Sequence, residues 1–355
     1  MWRNIAPGRR RAASGGTHGD RILLPLLLPT VSLHVRCAAL LTAGAAACMV
    51  AAAGLGAPTG EIVLDAVRIS AHGWVFQGAS GMASAQNRGY MSNAGFVVTD
   101  DGVVVFDALG TPPLGEAMVA AIRRETSQPI RRVIVSHYHA DHVYGLQAIQ
   151  PTGAQIWAHR RAEHYFTSGV ASERLEQRRR DLFPWVDENT RVVRPDRWID
   201  GDTAFRLGGL TFRILFAEGA HSPEDVMLYV VEDKLLFAGD LIFAGRVPFV
   251  GNADSAGWLR AMDKMIALKP SIVVPGHGPV SRNVEQDLVT TRDYLVYLRE
   301  AMGRAVADLE TFDDAYAKTD WSRFRSLPAF DQANRINAFG TYLLMEQEAL
   351  KAGKP

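Results

Sequence analysis

Cysteine is almost absent from this chain of 355 residues, since its only two, Cys37 and Cys48, lie within the first fifty positions. Beyond them the sequence excludes disulfide bonds, thiolate metal ligands and a cysteine nucleophile. An excess of charge of either sign is absent too, because 38 Lys and Arg balance 38 Asp and Glu. Lys and Arg give most of the affinity for phosphates, and the chain has no excess of them over Asp and Glu, so no nucleic-acid partner is expected.

The first 57 residues have the composition of an export segment. Three arginines stand at residues 9–11, and Arg36 precedes an apolar, alanine-rich run at residues 38–53. Small residues follow this run, so signal cleavage is expected after Ala53 or Ala57. The alternative interpretation of the same run is a membrane anchor.

Removal of residues 1–57 would change the charge of the protein. That segment holds six Arg and one Asp, so the remaining chain has 32 basic and 37 acidic residues and a net charge of −5. We expect an exported, periplasmic protein with no stable membrane insertion after cleavage. Its expected partner is a small-molecule substrate, and the sequence leaves its oligomeric state open.

The most informative motif is the sequence HYHADH at residues 137–142. His137, His139, Asp141 and His142 place four potential metal ligands directly after the apolar run 133–135. A turn at a strand end can direct its first and third residues at one point and the following Asp-His pair at a second. Imidazole combined with carboxylate is a ligand set that suits zinc. The motif therefore predicts a site for two metal ions.

Three further polar residues follow apolar runs and have a glycine close by. His221 follows a small-residue turn, Asp240 ends the sequence Ala-Gly-Asp after residues 235–238, and His277 lies within Pro-Gly-His-Gly after residues 272–274. Glycine has no side chain and allows the backbone to approach closely. We predict that these three residues join the same site.

The remaining pattern alternates short strands and helices, which is typical of a layered α/β domain. Residues 94–98 and 103–106 flank a turn that contains Asp-Gly, the signal of a hairpin. We predict further strands over residues 131–136, 155–158, 210–217, 225–231, 234–238 and 271–274, and helices over residues 112–126, 160–183, 258–268 and after 283.

In this order, the HxHxDH, His, Gly-Asp and Pro-Gly-His-Gly motifs resemble those of the metallo-β-lactamase superfamily over about residues 61–280. The resemblance implies a four-layer αββα sandwich with the site at one edge between two sheets. We expect three regions: the export segment 1–57, a catalytic domain over residues 58–283 and a C-terminal helical extension over residues 284–355.

The resemblance also implies two zinc ions per chain and their ligands. It assigns one metal to His137, His139 and His221. The other metal is assigned to Asp141, His142 and His277. Asp240 would bridge the two as a shared carboxylate that relieves their mutual repulsion.

The implied activity is hydrolysis of a carbonyl-type substrate, such as an ester, thioester, lactone or amide, by a hydroxide that bridges the metals. Asp141 and Asp240 are the expected catalytic carboxylates. Arg246 is either a contact for a substrate carboxylate or a structural arginine. Asp107 either orients a ligand imidazole or stabilises a turn, and His159 is expected to be a core residue.

Several alternatives remain open. Asp240 stands where several β-lactamases have Cys, so β-lactams are not the expected main substrates. The export segment and the spacing after Asp240 are closer to zinc metallohydrolases of quinoprotein relay and sulfur-oxidation systems. An iron persulfide dioxygenase with one metal and a non-catalytic cofactor carrier are the rival functions on the same fold. Both rivals require fewer than the seven ligands that the sequence offers.

Overall fold

The computed structural model describes residues 61–353 of the chain. The predicted export segment and its cleavage sites lie outside these described residues. Among the helices of the described part, none is long and apolar enough to cross a membrane.

A seven-stranded sheet follows the chain order from one edge to the other. Its first four strands are antiparallel neighbours and its last four are parallel neighbours. The strands are β1 (Val67–Arg68), β2 (Gly73–Phe76), β3 (Ala94–Thr99), β4 (Gly102–Phe106), β5 (Ile130–Ile134), β6 (Gln155–His159) and β7 (Arg197–Ile199).

A five-stranded sheet packs on the first. Its strands are β8 (Thr203–Leu207), β9 (Leu210–Phe216), β10 (Val226–Val230), β11 (Leu235–Phe243) and β12 (Ile272–His277). The order is β12-β11-β10-β9-β8, and only the pair β11 and β12 is parallel.

Helices cover the outer faces of both sheets. They are α1 (Pro112–Glu125), α2 (Ala140–Val143), α3 (Leu146–Ile149), α4 (Glu163–Thr167), α5 (Val170–Asp181), α6 (Ser255–Ala267), α7 (Val284–Ala307), α8 (Phe312–Lys318) and α9 (Phe330–Lys351). Two short 3-10 turns occur at Gln150–Thr152 and Arg160–Ala162.

Three apolar layers hold these elements together. The middle layer joins the inner faces of the sheets, with Val104 and Phe106 from β4 packing near Phe237 from β11. Val103 and Val105 of the same strand face the opposite way, into the layer beneath α1. A third layer packs α6, α7 and α9 against the second sheet. Because β4 is buried on both faces, its sequence is an uninterrupted apolar run. The predicted αββα sandwich and the C-terminal helical region are confirmed.

The predicted elements are present, but β11 and β12 run beyond their predicted ends and one predicted helix is divided. The hairpin is present, although its two-residue loop is Asp100-Asp101, because Thr99 pairs with Gly102. The single helix predicted over residues 160–183 is wrong, because the chain forms a 3-10 turn, α4 and α5 there. Gly169 separates α4 from α5 with a positive φ of 83°. This left-handed conformation suits glycine and interrupts a right-handed helix.

Candidate metal centre

Four segments from both sheets bring the seven predicted ligands together. The turn after β5 carries His137, His139, Asp141 and His142, and the connection from β9 to β10 carries His221. His277 is the last residue of β12, which continues three residues past its predicted end at residue 274. Asp240 was predicted to end its strand, but β11 continues to Phe243 and Asp240 lies inside it. The pairing of β11 with β12 shifts register on either side of Gly239, and this irregularity lies next to Asp240.

The potential ligand atoms form two compact groups. His137, His139, His221 and Asp240 make up one group, in which all ligand atoms lie within 4.8 Å of one another. Asp141, His142 and His277 make up the other, with the same limit. The two groups correspond to the two sets of ligands that the sequence resemblance implies.

Asp240 faces both groups with different oxygens. Its Oδ2 is 3.8 Å from His137 Nε2 and 3.4 Å from His221 Nε2. Its Oδ1 is 3.1 Å from His142 Nε2 and 3.3 Å from His277 Nε2. This is the position that a carboxylate shared by two cations requires.

Buried atoms without partners test whether metal ions fit here. His137 Nε2, His142 Nε2 and Asp240 Oδ1 are among the buried side-chain atoms of the described residues that make no well-aligned hydrogen bond, although the last two lie 3.1 Å apart. Unpaired buried polar atoms are costly and rare in folded proteins. Cations bound between the two groups would satisfy all three atoms at once, so the residues fit a metal centre.

Hydrogen bonds on the far side of the rings fix which nitrogen each imidazole offers. His221 Nδ1 is 2.9 Å from the carbonyl oxygen of Phe249, and His277 Nδ1 is 2.9 Å from that of Met91. A carbonyl oxygen can only accept, so both rings donate from Nδ1 and leave the lone pair on Nε2. His139 is turned the other way, since its Nδ1 lies 2.9 Å from His221 Nε2 and points into the site.

The direction of the pKa shift differs between His142 and the histidines of the first group. Burial, with the neighbouring histidines, lowers the pKa of His137 and His139 well below the usual value, and burial lowers the pKa of His221. These rings are therefore neutral and can bind metal without losing a proton. Burial also disfavours the charged form of His142, but Asp240, Asp141 and Asp107 outweigh it and raise the pKa of His142 well above its usual range. Burial alone would raise the pKa of Asp240, but His277 and His142 hold it well below the usual value.

Asp107 orients His142, and it also stabilises the turn before the HxHxDH motif. Its Oδ2 accepts from His142 Nδ1 at 2.8 Å and from the Ser136 hydroxyl at 2.8 Å, and its Oδ1 accepts from Ser136 N at 2.7 Å. The same Ser136 hydroxyl is 2.9 Å from His137 Nδ1. Asp107 is fully buried. It contacts His142 directly and His137 through the Ser136 hydroxyl, so it reaches one ligand of each group.

Asn93, which was not predicted from the sequence, holds the strand end that carries His277. Its amide nitrogen donates to the carbonyls of Pro275 at 2.9 Å and Gly278 at 2.8 Å, and its amide oxygen accepts from Gly78 N at 3.0 Å. Its backbone N–H donates to Gly276 O at 2.7 Å. A single asparagine in no motif gives little signal, and only its burial at 3% exposure identifies its role.

Arg246 lies beside the site and is buried. Nη1 donates to Gly81 O at 2.8 Å, and Nη2 is 3.8 Å from Met82 Sδ. Among the side chains that the structure describes, no carboxylate pairs with this guanidinium, and its Nε has no partner. Burial lowers its pKa, while Asp240 and Asp141 oppose this change. The negative charges that act on this guanidinium are therefore those of the candidate metal centre.

The other histidines of the described residues lie outside both ligand groups. His159 stacks on Phe216 with ring centroids 3.7 Å apart, which agrees with the expected core role. His72 Nδ1 is 2.8 Å from Asp233 Oδ1, away from the site. His164 lies on α4, where it lines an open surface hollow with His159.

A model of the metallo-beta-lactamase superfamily matches residues 87–277, more than half of the chain. The chain belongs to this superfamily. Curated relatives include a linear primary-alkylsulfatase of Pseudomonas sp. (strain ATCC 19151), 22% identical over 237 residues, which cover 56% of this chain and 44% of the relative. The probable metallo-hydrolase YqgX of Bacillus subtilis (strain 168) is 24% identical over 58% of this chain and 92% of its own length. The hydroxyacylglutathione hydrolase GloC of Haemophilus influenzae is 28% identical over 47% of this chain and 77% of its own.

Solved structures of other proteins share this fold. The sec-alkylsulfatase Pisa1 from Pseudomonas sp. aligns with a TM-score of 0.63 and 17% identity, over 79% of this chain and 50% of the sulfatase. A metallo-beta-lactamase from Pontibacter korlensis aligns with a TM-score of 0.50 and 24% identity, over 66% of this chain and 99% of the lactamase. The present chain spans about half the length of the sulfatases that it matches.

Proposed function

We propose that this protein is a dinuclear zinc hydrolase that cleaves a carbonyl-type substrate, such as an ester, thioester, lactone or amide. The observation that supports the proposal best is Asp240, whose two oxygens face two separate groups of ligand atoms. A site for one metal would need neither a shared carboxylate nor seven ligands. The proposed zinc ligands are His137, His139, His221, Asp141, His142, His277 and Asp240.

Two bound zinc ions would lower the pKa of a water held between them and polarise the substrate oxygen, so no protein nucleophile is needed. The chain supplies the rest of the arrangement. Asp240 is 4% exposed and keeps the two groups of ligands together. Asp141, with 15% of its side chain exposed, is the carboxylate open to solvent. We therefore assign to Asp141 the task of holding the proton that leaves the attacking water.

Arg246 is the proposed contact for an anionic group of the substrate. Its buried guanidinium keeps one N–H without an acceptor and lies near the carboxylates of the site. Bound metal ions would neutralise those carboxylates and leave Arg246 as an uncompensated positive charge. A carboxylate on the substrate would satisfy that charge with a charge-assisted hydrogen bond.

The setting of the activity rests on the sequence alone. We propose that residues 1–57 direct export to the periplasm and that the mature chain comprises a catalytic domain over residues 58–283 and the helical region over residues 284–355. The export segment and the spacing after Asp240 also support a relation to zinc metallohydrolases of quinoprotein relay and sulfur-oxidation systems.

Metal analysis of the purified protein tests the proposal. We expect about two zinc ions per chain and a loss of zinc on Asp240→Asn or His277→Ala. The matched control is His159→Ala, which removes a buried histidine outside the two ligand groups and should keep both ions. A single iron ion would instead support the persulfide dioxygenase. A chain without metal would support the cofactor carrier.

A substrate screen on the zinc-loaded protein would then define the bond that is cleaved. It should compare an ester, a thioester, a lactone and a β-lactam. A primary alkyl sulfate belongs in the same screen, because one relative is named as an alkylsulfatase. Cleavage of the sulfate alone would contradict a carbonyl-type substrate while leaving the metal centre in place.

A further inference from the structure

The C-terminal helix α9 contacts a loop next to the candidate metal centre. The loop comprises Pro248, Phe249, Val250 and Gly251, and we call it the 248–251 loop. Asn337 of α9 is fully buried, and its amide oxygen accepts from Val250 N at 2.8 Å and Gly251 N at 3.2 Å. Its amide nitrogen donates to Pro248 O at 2.7 Å. One side chain thus binds three of the four residues of the loop.

The fourth residue of the loop holds a proposed zinc ligand. Phe249 O lies 2.9 Å from His221 Nδ1. This contact keeps the proton of the ring on Nδ1 and the lone pair on Nε2, toward the site. The backbone bonds made by Asn337 lie on both sides of this carbonyl and so fix its direction.

A close approach shows that α9 and the loop pack with their backbones touching, and the segments just before each of them are joined as well. A Cβ built on Gly340 would overlap Gly251 O and would lie 2.7 Å from Gly251 C. Just before the loop, Val247 N donates to Pro328 O at 3.0 Å. Because the backbones meet directly, a change at this contact must move the loop rather than a flexible side chain.

We propose that Asn337 is a positioning residue for the metal site that contains His221, so that α9 is part of the metal centre. The inference rests on the proposed zinc function. Loss of the Asn337 amide would leave three buried backbone groups of the loop unpaired, and such groups move to find new partners. The Phe249 carbonyl would move with them, and His221 would lose the acceptor that orients it. Loss of a group that orients a ligand typically weakens metal binding by about 10- to 100-fold.

The chain offers a closely matched control in Asn334. This asparagine is one turn away on α9 and is 1% exposed. It accepts from Tyr294 Oη at 2.7 Å and donates to Tyr316 Oη at 3.1 Å. Tyr294 Oη also accepts from Asn337 Nδ2 at 3.1 Å, so both asparagines belong to one polar network. Among the hydrogen bonds of the described residues, however, those of Asn334 do not reach the 248–251 loop.

The experiment compares Asn337→Ala with Asn334→Ala in the full chain. Competition with a chelator gives the two zinc affinities, and thermal unfolding of the metal-free protein gives stability. Nitrogen NMR of the metal-free protein reports which nitrogen of His221 carries the proton. Both variants should lose similar stability. Only Asn337→Ala should weaken one zinc site by about 10-fold or more, and it should shift the His221 ring away from its Nδ1–H form.

If Asn337→Ala does not fold, Asn337→Asp and Asn334→Asp form a second pair. The aspartate at 337 keeps the acceptor for Val250 and Gly251 but cannot donate to Pro248, so a smaller fall in zinc affinity is expected. Equal zinc affinities and an unchanged His221 ring in the 337 variants would overturn the role of Asn337, whatever their stability. A different result is possible: the wild-type chain binds no zinc, but the 337 variants still show the shift at His221. This would contradict the proposed zinc function and leave the positioning role intact.

Discussion

Replacement of Asp107 by asparagine should weaken zinc binding at the site of His142 more than it weakens the fold. Asp107 has a φ of 60°, a conformation that asparagine tolerates, so the substitution changes the charge without a backbone penalty. The asparagine oxygen can still accept from Ser136 N. The amide nitrogen then takes the place of Oδ2, so His142 Nδ1 meets an N–H in place of a carboxylate oxygen.

The magnitude follows from the hydrogen bonds that change. The carboxylate accepts three hydrogen bonds of 2.7 to 2.8 Å, and hydrogen bonds to charged groups contribute about 1.5 to 3 kcal/mol each. Because the asparagine loses the hydrogen bond from His142 Nδ1 and keeps only uncharged hydrogen bonds with Ser136, we expect the free energy of unfolding of the metal-free variant to fall by about 2 to 3 kcal/mol. Zinc affinity at the His142 site should fall about 10- to 100-fold, the range for loss of a group that orients a ligand.

Asp233 provides the matched control. It accepts from the same set of donors as Asp107: a histidine Nδ1 at 2.8 Å, a serine hydroxyl at 2.5 Å and a backbone N–H at 2.9 Å. These donors belong to His72 and Ser70, which lie away from the ligand groups. Chelator competition and denaturant unfolding should therefore show that Asp233→Asn loses comparable stability and keeps both zinc affinities. Equal zinc affinities in the two variants would refute the role that we assign to Asp107.

Gly276→Ala should lose zinc and about 1 to 3 kcal/mol of stability, because the new Cβ would overlap Asp240 Oδ1. Zinc content and thermal unfolding test this prediction. The control is Gly201→Ala, whose Cβ would contact no other atom. Burial would raise the pKa of Asp233, but hydrogen bonds from Ser70 and His72 lower it. Its contribution should thus be fully present above about pH 4 and be lost as pH falls through the lowered value, seen as convergence of wild-type and Asp233→Asn unfolding free energies in acid. Arg246→Gln should raise KM for an anionic substrate about 10-fold, because one charge-assisted hydrogen bond is lost, and should leave KM for the neutral analogue unchanged. Equal KM values of the wild-type protein and the variant for the anionic substrate would exclude the contact.

Eight of the twelve strands in the described residues and the ligand motifs were predicted, because each depends on local sequence; β1, β2, β7 and β8 were not. Val103–Phe106 is apolar at every position, a pattern that suits a strand buried on both faces. The four ligands of the HYHADH turn are neighbours in the chain, so their convergence needs little more than a strand end. The helix break at Gly169 was missed, since a single glycine in a charged helical pattern is compatible with either a helix or a break.

The residues that orient the ligands could not be predicted, because their partners are distant in the chain. Asn93 is 182 residues from Pro275, and Asn337 is 87 residues from Val250. Each is a single buried amide whose oxygen and nitrogen both form hydrogen bonds with backbone groups and so hold a segment next to the site. An asparagine in a sequence is as consistent with an exposed turn as with such a clamp, so only the packed structure distinguishes the two.

The two sheets approach so closely at the Ala-Gly-Asp motif that its middle residue must be a glycine. Gly239 has a φ of 55°, and a Cβ built on it would lie 2.9 Å from Ser136 Cβ, directly before His137. The sheets also join here by a hydrogen bond from Val226 N to Ser136 O at 3.0 Å. A larger residue at 239 would force the sheets apart and separate Asp240 from His137. The motif therefore combines the ligand with the small residue that lets two sheets approach closely enough to share one metal centre.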